Sequence, residues 1–234
     1  MKNVTWSSRF TKQMDAEVLE FSQSLNIDIV LFSSDIKVTI AHVDMLKSCG
    51  HITSTEKKKI IDGLKKVLVL AENGKLKWSV DFEDVHMNIE NALVSIIGDV
   101  GKKIHLGRSR NDLVATDLRL YLRDFIDLYI DQLRGIQFVL ANVAIKHTDS
   151  LFPGFTHMQV AQPVTFGHHL LAWCEMIHRD EIRLLNNRES INIMPLGSAA
   201  LSGTSLKLNR PMVAKSLGFK SVTKNSMDAV SDRD

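Results

Sequence analysis

Apolar side chains recur in steps of three and four residues along the middle of the chain. The stripe consists of Leu118, Leu122, Phe125, Tyr129, Leu133, Ile136, Leu140 and Val143. This period places the side chains on one face of an α-helix. A helix from Asp112 to about His147 would be roughly 50 Å long at 1.5 Å per residue. Helices of this length usually belong to bundles, in which each apolar stripe packs against neighbouring helices.

A second long helix is predicted after a break at Pro153-Gly154. We expect it to begin at Pro163, because a proline at the first helical position loses no hydrogen bond. Its apolar members are Leu170, Trp173, Ile177, Leu184 and Leu185. The small residues between Met194 and Gly203 predict a loop after this helix.

The first hundred residues predict shorter helices. Thr53 and Glu56 form a capping-box pattern at the start of one helix, and Asn73-Gly74 ends that helix with a turn. The sequence contains no alternating run long enough to predict a sheet. The prediction is an all-α protein. Residues 1–105 would form an N-terminal helical domain, and residues 106–234 the first part of a central helical bundle.

Composition and charge restrict the partners. The 234 residues can bury a core, and their formal net charge is only +2. Nucleic acids and anionic membranes usually select a strongly basic surface, so we expect neither as a partner. No apolar run has the length that crosses a bilayer. Cys49 and Cys174 are interpreted as buried thiols in a reducing compartment, with a disulfide as the alternative. These features predict a soluble, cytoplasmic protein.

Charged and amide side chains cluster just before the first long helix, at Arg108, Arg110, Asn111 and Asp112. A guanidinium binds a carboxylate through two parallel hydrogen bonds, and free N–H groups at a helix start also attract anions. The cluster would therefore suit a substrate with several carboxylates. On residue types alone, however, a solvated loop with an Asn or Asp helix cap is the favoured interpretation.

Thr156-His157 lies in a predicted turn ahead of the second long helix. A histidine can exchange a proton near neutral pH, and the neighbouring hydroxyl can bind a substrate oxygen. A single histidine in a loop is more often a hydrogen-bonded structural residue. Residue types alone favour that second interpretation.

Two Glu-x-x-His spacings raise the alternative of a metal site. They are formed by Glu83 with His86 and by Glu175 with His178. In a four-helix bundle, two such pairs and two further glutamates can bind a di-iron centre. Companion glutamates on facing helices are not evident in the sequence, so surface charge pairs are the favoured interpretation. We predict no metal and no cofactor.

Four segments together resemble the argininosuccinate lyases. Gly107–Asp112 reads Gly-Arg-Ser-Arg-Asn-Asp as in that family, and residues 156–163 are similar to its Thr-His-Leu-Gln…Ala-Gln-Pro segment. Residues 83–86 and 225–234 match two more, the last through Asn-Ser-Met-Asp and Ser-Asp-Arg-Asp. The segments follow the family's order along essentially the whole chain. The paired arginines point to this branch rather than to fumarases or aspartases, and the branch includes the lens δ-crystallins.

The resemblance implies a lyase that splits argininosuccinate into fumarate and L-arginine by β-elimination, in arginine biosynthesis and without a cofactor. The residues that it places at the substrate are Ser24, Arg110, Asn111 and Thr156. His157 would take part in proton transfer or hold the proton-transferring group in place. Asp84 and His86 would stabilise the region around the site.

The chain departs from the family pattern at several positions. Ser7-Ser8 replaces a pair of glycines, and unusual residues also stand at Val38, Leu106, Leu113 and Ala199. Leu106 and Leu113 flank the arginine segment, so their effect on substrate affinity stays open. The family's Gly-Ser-Ser-x-Met-Pro-x-Lys-x-Asn loop, with its proton-abstracting serine, does not occur in these 234 residues.

The resemblance also implies a homotetramer for the full-length protein, with active sites that combine segments from three subunits. This chain alone is expected to be inactive and to expose apolar helix faces. Two alternatives stay open. One is a non-catalytic, crystallin-like structural relative, and the less favoured one is a metal-binding helical bundle that uses the Glu-x-x-His pairs.

Overall fold

The structure is a computed structural model that describes residues 15–233, and the all-α prediction is confirmed. The α-helices in this range are α1 (Ala16–Ser22), α2 (Leu25–Asp28), α3 (Phe32–Ser48), α4 (Ser54–Glu72), α5 (Val85–Ile97), α6 (Arg110–Lys146), α7 (Phe166–Ile191), α8 (Arg210–Ser216) and α9 (Ser226–Ser231). Short 3-10 helices cover Ile29–Leu31, Val80–Phe82 and Gly98–His105. The predicted departure at Ser7-Ser8 lies outside the described residues.

Two compact units make up the chain. The first consists of residues up to Tyr121 together with those from Ile193 onwards, and the second is Leu122–Asn192. Helix α6 begins in the first unit and continues into the second. The domain boundary that the sequence places at residue 105 stays a prediction.

The core of the first unit lies among α3, α4 and α5. Its fully buried side chains include Ile36, Leu46, Ile60, Leu64 and Leu93. Helices α4 and α5 approach closely at Gly63, where an added Cβ would lie 2.7 Å from Leu93 Cδ1. The predicted capping box at the start of α4 is confirmed, since Glu56 N–H donates to Thr53 Oγ1 and Thr53 N–H donates to Glu56 Oε2.

Helix α6 confirms the long helix that the apolar stripe predicts, and its 37 residues correspond to about 55 Å. Many large apolar side chains on α6 and α7 are nevertheless exposed in this chain. They are Phe125, Leu128, Tyr129, Ile136, Phe138, Val139 and Ile145 on α6, and Leu171, Trp173, Met176, Ile182 and Leu185 on α7. The expected exposure of apolar helix faces is therefore present in the second unit.

Short strands occur where the sequence analysis predicted none. Strands β1 (Leu151–Thr156) and β2 (Gln159–Thr165) form an antiparallel hairpin, while β3 (Ile193–Met194) and β4 (Ser221–Val222) pair in parallel. The predicted helix start at Pro163 is wrong, because Pro163 lies in β2 opposite Pro153. A residue before a proline is driven towards extended backbone, which favours a strand at this point. Helix α7 instead begins at Phe166.

The two cysteines are free thiols, as predicted, although both are half-buried rather than buried. The Cys49 thiol, just after the end of α3, lies 3.7 Å from Met45 Sδ. Among the described helices, none combines the length and the apolar character that a membrane crossing would require.

Candidate active site

The segment from Gly107 to Asp112 leads into α6, and its two arginines point to different surroundings. Arg108 is buried, and its Nη1 donates to Thr39 Oγ1 at 2.8 Å. The Thr39 hydroxyl in turn donates to Asp35 Oδ1 at 2.9 Å. Arg108 is thus part of the packing between α3 and α6 rather than an exposed anion-binding group.

Arg110 is the arginine that remains half-exposed. Its Nη1 lies 2.8 Å from Asp84 Oδ2 and 3.1 Å from Glu83 Oε1. Asp84 also caps α5, because its Oδ1 accepts the Met87 N–H. The cap and the ion pair together fix the guanidinium at the start of α5, where it can attract a further carboxylate.

Asn111 and Asp112 connect the start of α6 to a loop of residues 195–200. Asn111 is exposed, and its Nδ2 donates to the Ala200 carbonyl at 2.8 Å. Asp112 is fully buried, and its Oδ2 accepts the N–H groups of Gly197 and Ala199, each at 2.8 Å. Its Oδ1 accepts the Ser109 N–H, so the helix-cap interpretation is correct for Asp112. The amide of Asn111 is left at the surface.

Ser24 lies beside the residues that hold Arg110. Its N–H donates to the Glu83 carbonyl at 2.9 Å, and its hydroxyl donates to Asp28 Oδ2 at 2.5 Å. Asp28 Oδ1 accepts the Val85 N–H at the start of α5. The first unit therefore groups Ser24 and Arg110 around Glu83 and Asp84, and Asn111 follows Arg110 directly.

Thr156 and His157 belong to the second unit, at the tip of the β1–β2 hairpin. Thr156 ends β1, and the turn residues His157 and Met158 both have positive φ, at 49° and 60°. Two such residues define the primed hairpin turn that usually contains Asn or Gly. Both Thr156 and His157 are exposed, so the predicted turn is confirmed and presents hydroxyl and imidazole to the surroundings.

A buried charged cluster behind the arginine segment was not predicted. His86 Nδ1 lies 2.6 Å from Asp35 Oδ2 and 3.4 Å from Asp117 Oδ2. Burial alone would lower the pKa of His86, but the hydrogen bond to Asp35 and the nearby carboxylates outweigh burial and raise it to about 9. Burial also raises the pKa of Asp117 well above its usual range. No single sequence spacing could reveal this cluster, because its members come from α3, α5 and α6.

The surface-pair interpretation of the Glu-x-x-His spacings is met only in part by the second spacing. His178 is exposed, but the carboxylate that lies near it on α7 is that of Glu181 and not that of Glu175. His86 is instead buried against Asp35 and Asp117, so the prediction of a surface pair with Glu83 is wrong. The atoms of Asp35, His86 and Asp117 lie close enough to hold a metal ion. A cation there would have to displace the proton that His86 Nδ1 shares with Asp35.

Of the four positions that depart from the family pattern, two lie in the core and two lie outside it. Val38 and Leu113 are buried in the core of the first unit. Leu106 is partly exposed, and its carbonyl lies 2.8 Å from His42 Nε2. Ala199 lies in the loop that contacts Asp112 and has a φ of 53°, in the left-handed region that favours glycine.

The chain belongs to the lyase family, whose sequence model, described as Lyase, matches residues 8–234. It is similar to argininosuccinate lyases. The one from Alkalilimnicola ehrlichii is 52% identical over 229 residues, which cover 98% of this chain and 49% of that relative. The one from Ruthia magnifica is 50% identical over 232 residues, 99% of this chain and 48% of that relative.

The fold is also shared with a solved lyase structure. A crystal structure of EDDS lyase in complex with formate matches with a TM-score of 0.77 and 33% identity, over 91% of this chain and 41% of that one. The chain spans about half the length of the curated relatives that it matches.

Proposed function

We propose that the whole protein is an argininosuccinate lyase that converts argininosuccinate into fumarate and L-arginine. The observation that carries the proposal is the identity of about half of all residues with argininosuccinate lyases over 98% of the chain. The geometry of Gly107–Asp112 supports it, because Arg110 and Asn111 lie at the start of α6, where carboxylates are attracted. Ser24 bonds to Glu83, which pairs with Arg110.

The reaction needs a base and a stabilised carbanion-like transition state. A base removes the proton from the succinyl Cβ, and the C–H electron pair forms the C=C bond. The C–N bond breaks at the same time or afterwards, and its electron pair stays on the guanidino nitrogen, which takes up a proton. Negative charge grows on the neighbouring carboxylate, so donors aimed at that group lower the barrier most.

The side chains of this chain would divide those tasks. Ser24, Asn111 and Thr156 would donate hydrogen bonds to the substrate, and Arg110 would add positive charge close by. His157 would take part in proton transfer or hold the proton-transferring group in place. The exposed hairpin tip suits this role, because an imidazole there can reach a partner subunit. The reaction as proposed needs no cofactor.

The proposed assembly is a homotetramer in which three subunits contribute to each site. The exposed apolar side chains of α6 and α7 support it, since patches of this extent usually mark an interface. We also place the protein in arginine biosynthesis in the cytoplasm, with no nucleic-acid or membrane partner. This chain alone would be inactive, because the serine loop of the family does not occur in it.

The test compares this chain with the longest chain that the gene encodes. Release of fumarate from argininosuccinate is followed by its ultraviolet absorbance. We expect turnover in the longer chain, at least a hundredfold less after His157→Ala, and none in residues 1–234 alone. A folded longer chain without turnover would instead favour the crystallin-like structural relative.

A further inference from the structure

Arg210 is an extensively hydrogen-bonded side chain that the proposed function leaves without a role. It opens α8, and its guanidinium donates to three successive carbonyls, those of Met194, Pro195 and Leu196. It also donates to Ser198 Oγ and to both oxygens of Thr223. All three guanidinium nitrogens donate, with Nη2 shared among four acceptors, and among side chains only arginine holds its N–H donors in such a rigid planar fork.

The contacts of Arg210 and those of α6 meet on the same loop, residues 195–200. Gly197 has a φ of 90°, and an added Cβ would lie 2.7 Å from Arg210 Cγ, so the arginine stem packs directly on its backbone. The N–H groups of Gly197 and Ala199 point the other way, to Asp112 Oδ2. The loop is thus held between Arg210 and the first turn of α6.

The C-terminal end of this loop contacts Asn111. The Ala200 carbonyl accepts one N–H of the Asn111 amide at 2.8 Å. This bond fixes the plane of the amide, and the remaining N–H and the amide oxygen then have set directions. A displacement of the loop would release the amide to rotate.

We propose that Arg210 is a positioning residue, which acts through residues 195–200 to orient the Asn111 amide for the substrate. Arg210 touches neither Asn111 nor the proposed substrate groups. Its effect passes from the carbonyls of residues 194–196 through the loop to Ala200. The substrate part of this inference rests on the proposed lyase function, whereas the loop part does not. A small misplacement of a substrate-binding group commonly costs up to about a hundredfold in rate.

The loop part is tested on this chain by amide hydrogen exchange. Arg210→Met keeps the aliphatic stem on Gly197 and removes all donors. We expect exchange at the Gly197 and Ala199 N–H groups to rise at least tenfold, with exchange at Leu64 on α4 unchanged. Arg119→Met is the matched control, because Arg119 is also largely buried in the first unit but donates to Ile193 and Asp232. Unchanged protection of Gly197 and Ala199 in Arg210→Met would overturn the inference.

Should Arg210→Met also raise exchange at Leu64, the variant has lost its fold. Arg210→Lys then replaces it, since it keeps the charge and one donor group. The same local pattern is expected in Arg210→Lys, with a smaller rise.

The substrate part is tested by a double-mutant cycle on the longest chain that the gene encodes. Arg210→Met should lower kcat/KM at least tenfold, while in an Asn111→Ala background it should lower kcat/KM less than twofold. A merely structural role would give the same factor in both backgrounds and would contradict the inference. Absence of turnover in the wild type would refute the proposed function and leave the exchange result to decide the loop part.

Discussion

Arg110 Nη1 lies 2.8 Å from Asp84 Oδ2, so the arginine that begins α6 is bound to the residue that caps α5. The carboxylate of Asp84 has two functions, since its other oxygen accepts the Met87 N–H. A change at Asp84 should therefore affect both the stability of α5 and the position of a proposed substrate-binding side chain.

Substitution of Asp84 should separate these two functions. Asp84→Ala removes both the cap and the ion pair, and we expect the free energy of unfolding to fall by about 2 kcal/mol. Asp84→Asn keeps an oxygen for the Met87 N–H and should cost about half as much. Urea unfolding of the three proteins measures the difference. Glu83→Gln is the control, because the Glu83 carboxylate also pairs with Arg110 but does not accept the Met87 N–H that Asp84 caps, and a loss of about 0.5 kcal/mol or less is expected.

The buried His86 should make the protein less stable at alkaline pH. Its pKa is raised to about 9 in the folded chain, against an ordinary value of 6.5. The stabilisation of the fold by protonated His86 is therefore complete below pH 6.5 and is lost as pH rises through 9. Its size is on the order of 3 kcal/mol from the shift in pKa. Urea unfolding between pH 6 and 10 should show this decline in the wild type and a much weaker one in His86→Gln.

His42 should produce the opposite dependence on pH and so serves as a matched comparison. Burial and the positive charge of Arg108 lower the pKa of His42 to about 3, so it is neutral in the folded chain. The unfolded chain binds a proton below pH 6.5, and stability should fall as pH decreases from 6.5 towards 3. His42→Gln should flatten this acid-side slope and leave the alkaline slope intact. Equal slopes in all three proteins would contradict both assignments.

The sequence predicts helices better than it predicts contacts between them. Helix α6 follows from one uninterrupted apolar stripe, and the capping box at Thr53 follows from two residues three apart. The β1–β2 hairpin was missed because Pro163 suits the first turn of a helix as well as a short exposed strand. The spacing of residues along the chain cannot distinguish the first turn of a helix from a short exposed strand.

The candidate site shows the same limit. The family resemblance predicted Ser24, Arg110 and Asn111 as substrate-binding residues, and the structure places all three in the first unit. The spacing of Glu83 and His86 suggested a surface pair, although His86 bonds to Asp35, which is 51 residues away. The Asn111–Ala200 contact spans 89 residues. Such contacts depend on tertiary packing, which residue spacing along one element does not contain.

The turn at the hairpin tip should be strained. Met158 has a φ of 60°, where a side chain with a Cβ costs roughly 1 kcal/mol relative to glycine. Met158→Gly should therefore raise the melting temperature of the second unit, which contains the hairpin. Val160→Gly, in the adjoining strand, should lower it, since a glycine weakens a strand. Thermal unfolding followed by circular dichroism distinguishes the two signs.

Ala199 should be a residue at which a single change stabilises the first unit. Its φ of 53° is unfavourable for alanine, yet its N–H must stay bonded to Asp112 Oδ2. Ala199→Gly keeps this bond and relieves the backbone, so we expect a gain of about 1 kcal/mol in the free energy of unfolding. Ala200→Gly is the matched control. Ala200 is not among the residues with positive φ, so glycine there only adds freedom to the unfolded chain and should cost about 0.5 kcal/mol or more. A loss of stability in Ala199→Gly would show that the loop does not hold this conformation in solution.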